Sequence, residues 1–147
     1  MQGDQLLASV AAEHLGGVTT LGCEVRSDAD FAKVVEAGLP PDALSTLTKC
    51  GVSEKEITTL IINPRTLSHR RAKGQRLSVD ESDRAARVAR IVALAEQAFA
   101  NREKANRWLR LELQVLSDRR PIDLIRTQAG ARLVEGELAR IAWGIPP

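Results

Sequence analysis

The stretch of residues 51–76 reads GVSEKEITTLIINPRTLSHRRAKGQR and has the pattern of two short helices joined by a tight turn. Ser53 and Glu56 have the spacing of a capping box, which predicts the start of the first helix. Asn63-Pro64 ends that helix, because proline lacks a backbone donor and disfavours helical dihedrals in the residue before it. Thr66 is predicted to cap the second helix. Such a helix pair predicts a helix-turn-helix, a common DNA-binding motif.

The second helix of this pair carries most of the positive charge of the region. Residues 65–76 include five Lys or Arg and no Asp or Glu, which gives the segment a net charge of +5. Lys and Arg contact DNA phosphates, and the first turn of a recognition helix commonly contacts base edges. Five phosphate contacts would give a log–log salt slope of about −4 to −5. The residues predicted to bind DNA are Arg65, Thr66, Ser68, His69, Arg70, Arg71, Lys73 and Arg76. Surface solubility is the alternative interpretation of the paired arginines.

The composition favours a small protein built from packed helices. The chain has 147 residues, a net charge of +2 and no Tyr, and aromatic residues make up only 3% of it. A core must therefore come mostly from Leu, Ile, Val and Ala, and helical spacing dominates over strand alternation. We predict an all-α protein. The sequence has no apolar run long enough to span a membrane and no secretory-signal pattern at its N-terminus, so we expect a cytoplasmic protein without a membrane partner.

Helix signals divide the chain into three predicted parts. Residues 1–26 form a weak N-terminal arm, with a possible helix near its start, and could be mobile or an edge of the fold. Residues 27–77 contain a helix that Ser27 caps and Gly38 ends, then a second helix and the helix pair described above, and form the DNA-binding region. Residues 78–147 begin with a long linking or dimerisation helix and continue into shorter helices, two of which are predicted to be capped by Asn101 and Thr127.

The long helix has a capping signal and an apolar stripe. Ser78 and Glu81 can form a second capping box. Apolar residues then recur at intervals of three and four, which predicts one continuous buried face. Core burial is the favoured use of this stripe and a dimer seam is the alternative. Its residues are Ala85, Val88, Val92, Ala95 and Phe99.

From about residue 38 to residue 147 the sequence resembles the Xre/MbcA/ParS antitoxin family, the partners of RES-domain toxins. The first similar segment is RTLSHRRAKGQRLSVDESDRAARVARI at 65–91, where family members commonly show Arg-Thr-Leu, paired arginines, Leu-Ser and Glu-Ser-Asp-Arg. One departure is the segment 111–117, which ends in Leu116-Ser117 where the family often has Leu-Gly. The C-terminal third supplies the other matching residues, which are Phe99, Asn101, Arg102, Glu103, Lys104, Ala105, Trp108, Leu109, Arg120, Pro121, Leu124, Thr127, Gly130, Val134, Leu138, Ile141 and Gly144.

The resemblance implies a helix-turn-helix-like (Xre-type) domain that binds operator DNA, followed by a small helical toxin-binding domain. It implies the antitoxin of a type II toxin–antitoxin system, which neutralises a RES-domain, NAD-consuming toxin and represses its own operon. Apolar, stiff residues near the C-terminus, with a nearby arginine, are the candidates for the toxin contact. These are Trp108, Arg140, Trp143, Gly144, Ile145, Pro146 and Pro147. Either tryptophan could instead be a core residue.

The sequence offers no catalytic or metal-binding set. Cys23 and Cys50 lie 27 residues apart, and His14 and His69 are isolated, so neither a zinc spacing nor a nucleophile–base pair is present. We expect buried or partly buried thiols, surface imidazoles, no cofactor and no enzymatic activity. A homodimer on a palindromic operator is expected, because one half-site is a small interface. The alternatives are a stand-alone transcriptional regulator whose C-terminal half only dimerises, and a small helical enzyme or adaptor.

Overall fold

The computed structural model describes residues 2–144, with side chains described from Leu6 onward, and every regular element within them is helical. This confirms the predicted all-α fold. None of the described helices is both long and apolar enough to cross a bilayer. The helices are α1 (Gln2–His14), α2 (Gly17–Leu21), α3 (Asp28–Ala37), α4 (Asp42–Lys49), α5 (Glu54–Leu60), α6 (Pro64–Lys73), α7 (Val79–Phe99), α8 (Arg102–Trp108), a 3-10 helix (Gln114–Leu116), α9 (Pro121–Leu124) and α10 (Gln128–Ala142).

The chain divides into two compact units, residues 1–90 and residues 91–147. The division falls within α7, so this helix contributes its first three turns to one unit and its remainder to the other. The functional boundaries predicted from the sequence, at residues 26 and 77, remain a proposal.

The first unit begins with α1, which packs against α2, α3 and α4. The buried side chains here include Leu7 and Ala11 of α1 and Leu15, which follows the helix. Two expectations about this region are wrong. His14 is buried, and its Nδ1–H donates to the Val10 carbonyl oxygen at 2.8 Å, while Cys23 is exposed.

Two predicted helix-boundary residues frame α3. The Ser27 hydroxyl accepts from the Asp30 backbone N–H at 3.1 Å, which confirms the predicted cap. Gly38 ends the helix with a φ of +87°, a conformation that favours glycine. A Cβ at Gly38 would also lie 2.6 Å from the Leu77 carbonyl oxygen. Glycine therefore lets the end of α3 lie close to the segment that precedes α7.

The N-terminus of α7 carries the predicted capping box. The Glu81 backbone N–H donates to the Ser78 hydroxyl at 3.1 Å, and the Ser78 N–H donates to Glu81 Oε1 at 2.7 Å. The predicted stripe faces the core, since Ala85, Val88, Val92 and Ala95 are buried and Phe99 is half-buried.

The second unit closes around a small apolar core. The Asn101 side chain accepts from the Lys104 N–H at 2.9 Å and caps α8, as predicted. The ring centroids of Phe99 and Trp108 lie 5.7 Å apart, within the range of favourable aromatic pairs. The Ile122 N–H donates to the carbonyl oxygen of Leu109, the residue that follows α8. The fully buried side chains here include Leu109, Ile122, Ile125 and Leu138.

The connection before α10 depends on a capped turn and a glycine. The Thr127 hydroxyl accepts from the Gly130 N–H at 3.0 Å, which confirms the predicted cap. A Cβ at Gly130 would lie only 1.8 Å from the Leu124 carbonyl oxygen, so only glycine allows α10 to start this close to α9. Arg120 forms two hydrogen bonds to Asp123, at 2.8 and 2.9 Å, and thereby lowers the pKa of this carboxyl.

The departure at Ser117 has a local consequence. Ser117 follows the 3-10 helix with φ 58° and ψ 43°, in the left-handed region. Glycine adopts this conformation without a steric penalty, whereas a serine Cβ is strained there. The backbone at Ser117 therefore has a conformation that glycine would adopt more readily than serine does.

Candidate functional site

The helix-turn-helix predicted from residues 51–76 is formed by α5 and α6. Ser53 and Glu56 make the predicted capping box, with bonds of 2.9 and 3.1 Å between side chains and backbone N–H groups. The cap of α6 differs from the prediction. The Asn63 side chain accepts from the Arg65 N–H at 2.8 Å and Pro64 is the first helical residue, so Thr66 lies inside the helix. Proline suits this position because its missing N–H would have no helical partner there.

One side of α6 is open to solvent and carries most of the predicted DNA-binding residues. Arg65, Ser68, His69, Arg71 and Lys73 are all exposed, and no residue of α6 is fully buried. The guanidinium of Arg71 makes a long contact of 3.4 Å with the Ser45 hydroxyl. Thr66 and Leu67 are half-buried, which fixes the side that faces the protein.

Arg70 is used within the protein, in contrast to its predicted role as a phosphate contact. Its Nε donates to Glu81 Oε1 at 3.2 Å and its Nη2 to Oε2 at 3.4 Å. Burial raises the pKa of Glu81, but hydrogen bonds from Ser78 and the pairing with Arg70 outweigh it and leave the pKa below its ordinary value. The ionised carboxylate thus joins the last turns of α6 to the start of α7.

Arg76 is also held by an internal contact. Its Nη1 donates to the Gly38 carbonyl oxygen at 2.9 Å, next to a backbone hydrogen bond from Leu77 to Leu39 at 2.8 Å. Arg76 nevertheless remains exposed, as Arg65, Arg71 and Lys73 do, and the role of these cations in phosphate binding remains a proposal.

The Glu-Ser-Asp-Arg segment at 81–84 explains how α6 is held in place. The Ser82 hydroxyl, fully buried, accepts from the Leu39 N–H at 2.8 Å. Arg84 Nε donates to the Ile61 carbonyl oxygen at 2.9 Å, at the end of α5. With the Glu81–Arg70 pair, these bonds tie the α3–α4 loop and both helices of the helix-turn-helix to α7. This motif supports the candidate DNA-binding surface without belonging to it.

A groove of about 430 Å³ opens between α4, α5 and α6. Leu44, Ile57 and Leu67 supply its apolar lining, and Ser68 and Arg71 lie at its polar side. Both Ser68 and Arg71 are exposed beside this groove.

The two tryptophans of the second unit, Trp108 in α8 and Trp143 after α10, have different environments. Trp143 follows α10 with 81% of its surface exposed. Trp108 is only 9% exposed and packs on Phe99, so we revise its assigned role from contact to support. Arg140 and Gly144 are exposed. The predicted tail residues Ile145, Pro146 and Pro147 lie outside the described residues.

A second stripe on α10 was not predicted from the sequence. Leu133, on the same face as Trp143, is 58% exposed. Ala129, which precedes Leu133, is also exposed, and so are Gly136 and Arg140, which lie between Leu133 and Trp143. Their spacing of four, three, four and three residues follows one helix face. The same spacing is readable in the sequence and could have indicated this stripe.

Among the described residues, no group of three or more His, Cys, Asp or Glu side chains could hold a metal ion.

Comparison with known proteins assigns a class to each half of the chain. Residues 30–90 match the antitoxin Xre-like helix-turn-helix domain, and residues 94–144 match the antitoxin Xre/MbcA/ParS C-terminal toxin-binding domain. These matches define an antitoxin with one DNA-binding-type domain and one toxin-binding domain.

Two relatives agree with this class. A Pseudomonas putida protein named Antitoxin Xre is 38% identical over 121 residues, which is 82% of this chain and 76% of that protein. A Yersinia enterocolitica protein of the same name is 32% identical over 85 residues, which is 57% of each chain. The chain belongs to the Xre/MbcA/ParS antitoxin family. Its domains imply a toxin as partner and DNA binding.

Proposed function

We propose that the protein neutralises a RES-domain, NAD-consuming toxin and represses its own operon as the antitoxin of a type II pair. The supporting observation is the exposed Trp143, which lies at the end of the segment that matches a toxin-binding domain. A large aromatic ring left in solvent gains free energy when a partner buries it, and tryptophan is a frequent anchor of protein interfaces. The chain itself supplies no catalysis; that chemistry belongs to the toxin.

Neutralisation would result from covering the active-site cleft of the toxin. Trp143, Arg140 and Gly144 are exposed at the end of α10. We assign the contact to these residues together with the tail 145–147, which is apolar and stiffened by two prolines. A stiff segment loses little conformational entropy when it docks. Trp108 would support this surface from the core.

Growth rescue tests this part of the proposal. The full chain should restore growth when it is co-expressed with the RES-domain product of the co-transcribed neighbouring gene. Deletion of residues 143–147 should release the toxin and leave promoter binding largely intact. If the shortened protein still rescues growth, these residues do not block the toxin. If the full chain does not bind the neighbouring product at all, a stand-alone regulator becomes the better interpretation.

Repression would use the open side of α6. Arg65, Arg71 and Lys73 would contact phosphates, and the exposed Ser68 and His69 lie in the turns that commonly reach base edges. Thr66 is half-buried on the side that faces the protein, so we no longer assign it a base contact. We propose a homodimer on a palindromic operator, which would act in the cytoplasm where the operator lies. Because Arg70 and Arg76 already have partners within the protein, we expect three phosphate contacts per half-site.

Salt dependence tests the DNA part. Three contacts give a log–log slope of about −3 per half-site, whereas five would give about −4 to −5. Titration of the full chain against a single half-site of its promoter, from low to moderate salt, measures this slope. A slope near −5 would mean that Arg70 and Arg76 leave their internal partners on binding, and a flat response would contradict DNA binding through α6.

A further inference from the structure

The outer face of α10 combines exposed apolar residues with an unexplained glycine. Ala129, Leu133, Gly136, Arg140 and Trp143 follow one another at helical spacing and are all exposed. Leu133 is 58% and Trp143 is 81% exposed. The opposite side of α10 supplies buried core residues, among them Val134 and Leu138.

The two glycines of α10 differ in what the fold requires. At Gly130 a Cβ would lie 1.8 Å from the Leu124 carbonyl oxygen, so packing within the protein demands glycine. At Gly136 no atom lies within 4 Å of the position of a Cβ. Glycine in the middle of a helix is less favourable than alanine, because it loses more backbone freedom on folding. Nothing in the described structure compensates for this at Gly136.

We infer that the toxin-binding surface extends from Trp143 back along α10 to Ala129, with Gly136 as the point where the toxin approaches the helix most closely. Missing Cβ atoms allow another chain to come near a helix axis, as in closely packed helix pairs. The toxin is the occupant, since residues 129–143 lie within the segment that matches a toxin-binding domain and the face runs on from Trp143. This inference rests on the proposed function of toxin binding.

The test compares variants of the full chain that add a side chain to this face or elsewhere. Gly136→Leu should weaken binding to the purified RES-domain neighbour by about tenfold or more, because the new side chain fills the space that the partner would use. Gly136→Ala should weaken it less and raise the urea midpoint of the free protein, since alanine favours the helix. Ala32→Leu, at an exposed position of α3, adds bulk away from this face and should bind the toxin as the wild type does.

The outcomes separate this inference from the proposed function. If Trp143→Ala abolishes toxin binding while Gly136→Leu binds normally, the extended face is wrong and toxin binding stands. If the wild type does not bind the toxin, the proposed function fails. If Gly136→Leu changes only the molar mass of the free protein measured by light scattering, the face is an interface between copies of this chain and the inference is overturned.

Discussion

At the scale of single residues, the Glu-Ser-Asp-Arg segment at 81–84 has a structural role. Glu81 accepts hydrogen bonds from both Ser78 and Arg70, and Ser82 accepts the Leu39 N–H in the core. A buried polar group without its partner destabilises a fold more than its bond stabilises it. Among the cations of 65–76, Arg70 helps to hold α6 through Glu81, whereas Arg65, Arg71 and Lys73 are exposed.

Glu81 gives the stability a pH dependence of known sign. Its pKa in the folded protein lies below the ordinary value of 4.5, so its contribution to stability is complete above about pH 4.5 and is lost as the pH falls through the folded-state pKa. We expect Glu81→Gln to lower the free energy of unfolding by about 1–3 kcal/mol at pH 7. The difference from the wild type should shrink towards pH 3.5 in urea titrations. Glu54→Gln, at an exposed position, is the control, and a constant difference across pH would contradict the prediction.

Ser117 offers a stabilising substitution. Its φ of 58° lies where a side chain other than glycine is strained by about 1–2 kcal/mol, partly offset by the greater freedom of glycine in the unfolded chain. Ser117→Gly should therefore raise the free energy of unfolding by about 0.5–1 kcal/mol in urea denaturation. Ser68→Gly, within α6, should lower it. Equal effects of the two substitutions would show that the backbone conformation at Ser117 carries no strain.

At the scale of elements, the caps decide where the helices begin. Most predicted caps are confirmed, because Ser27, Ser53, Ser78, Asn101 and Thr127 each accept a backbone N–H at the start of a helix. The exception is α6, where Asn63 takes the position that we assigned to Thr66. Both residue types cap helices well, and Pro64 at the first helical position selects Asn63.

This correction predicts unequal effects of two similar substitutions. Asn63→Ala should lower the free energy of unfolding by about 1 kcal/mol, because the Arg65 N–H loses its acceptor. Thr66→Ala should change it by no more than about 0.5 kcal/mol. Chemical denaturation of both variants at pH 7 measures the difference. A larger loss for Thr66→Ala would place the start of α6 at the later residue.

At the scale of the whole molecule, the two candidate surfaces lie in different units of the chain. The cations of α6 lie in residues 1–90, and the exposed face of α10 lies in residues 91–147. Each surface is built from residues of its own unit, and substitutions that share no partners usually have independent effects. We therefore expect DNA binding and toxin binding to be separable by single substitutions.

Lys73 and Trp143 test this separation. Lys73→Gln should reduce the salt slope of promoter binding by about 1 and leave toxin neutralisation unchanged. Trp143→Ala should weaken toxin binding by about 2 kcal/mol or more and leave promoter affinity unchanged. Promoter titrations and growth rescue with both variants provide the four measurements. If either variant impairs both activities, the two surfaces are coupled.

The sequence by itself determined the helical class, most helix starts and the position of the helix pair, because capping and helical periodicity act over only three or four residues. Tertiary structure decided which arginines have distant partners within the protein and which tryptophan is core. Arg70 and Arg76 have partners 11 and 38 residues away, and Trp108 packs on Phe99 while Trp143 remains exposed. Local spacing carries no information about such contacts, since they arise only when distant segments pack together.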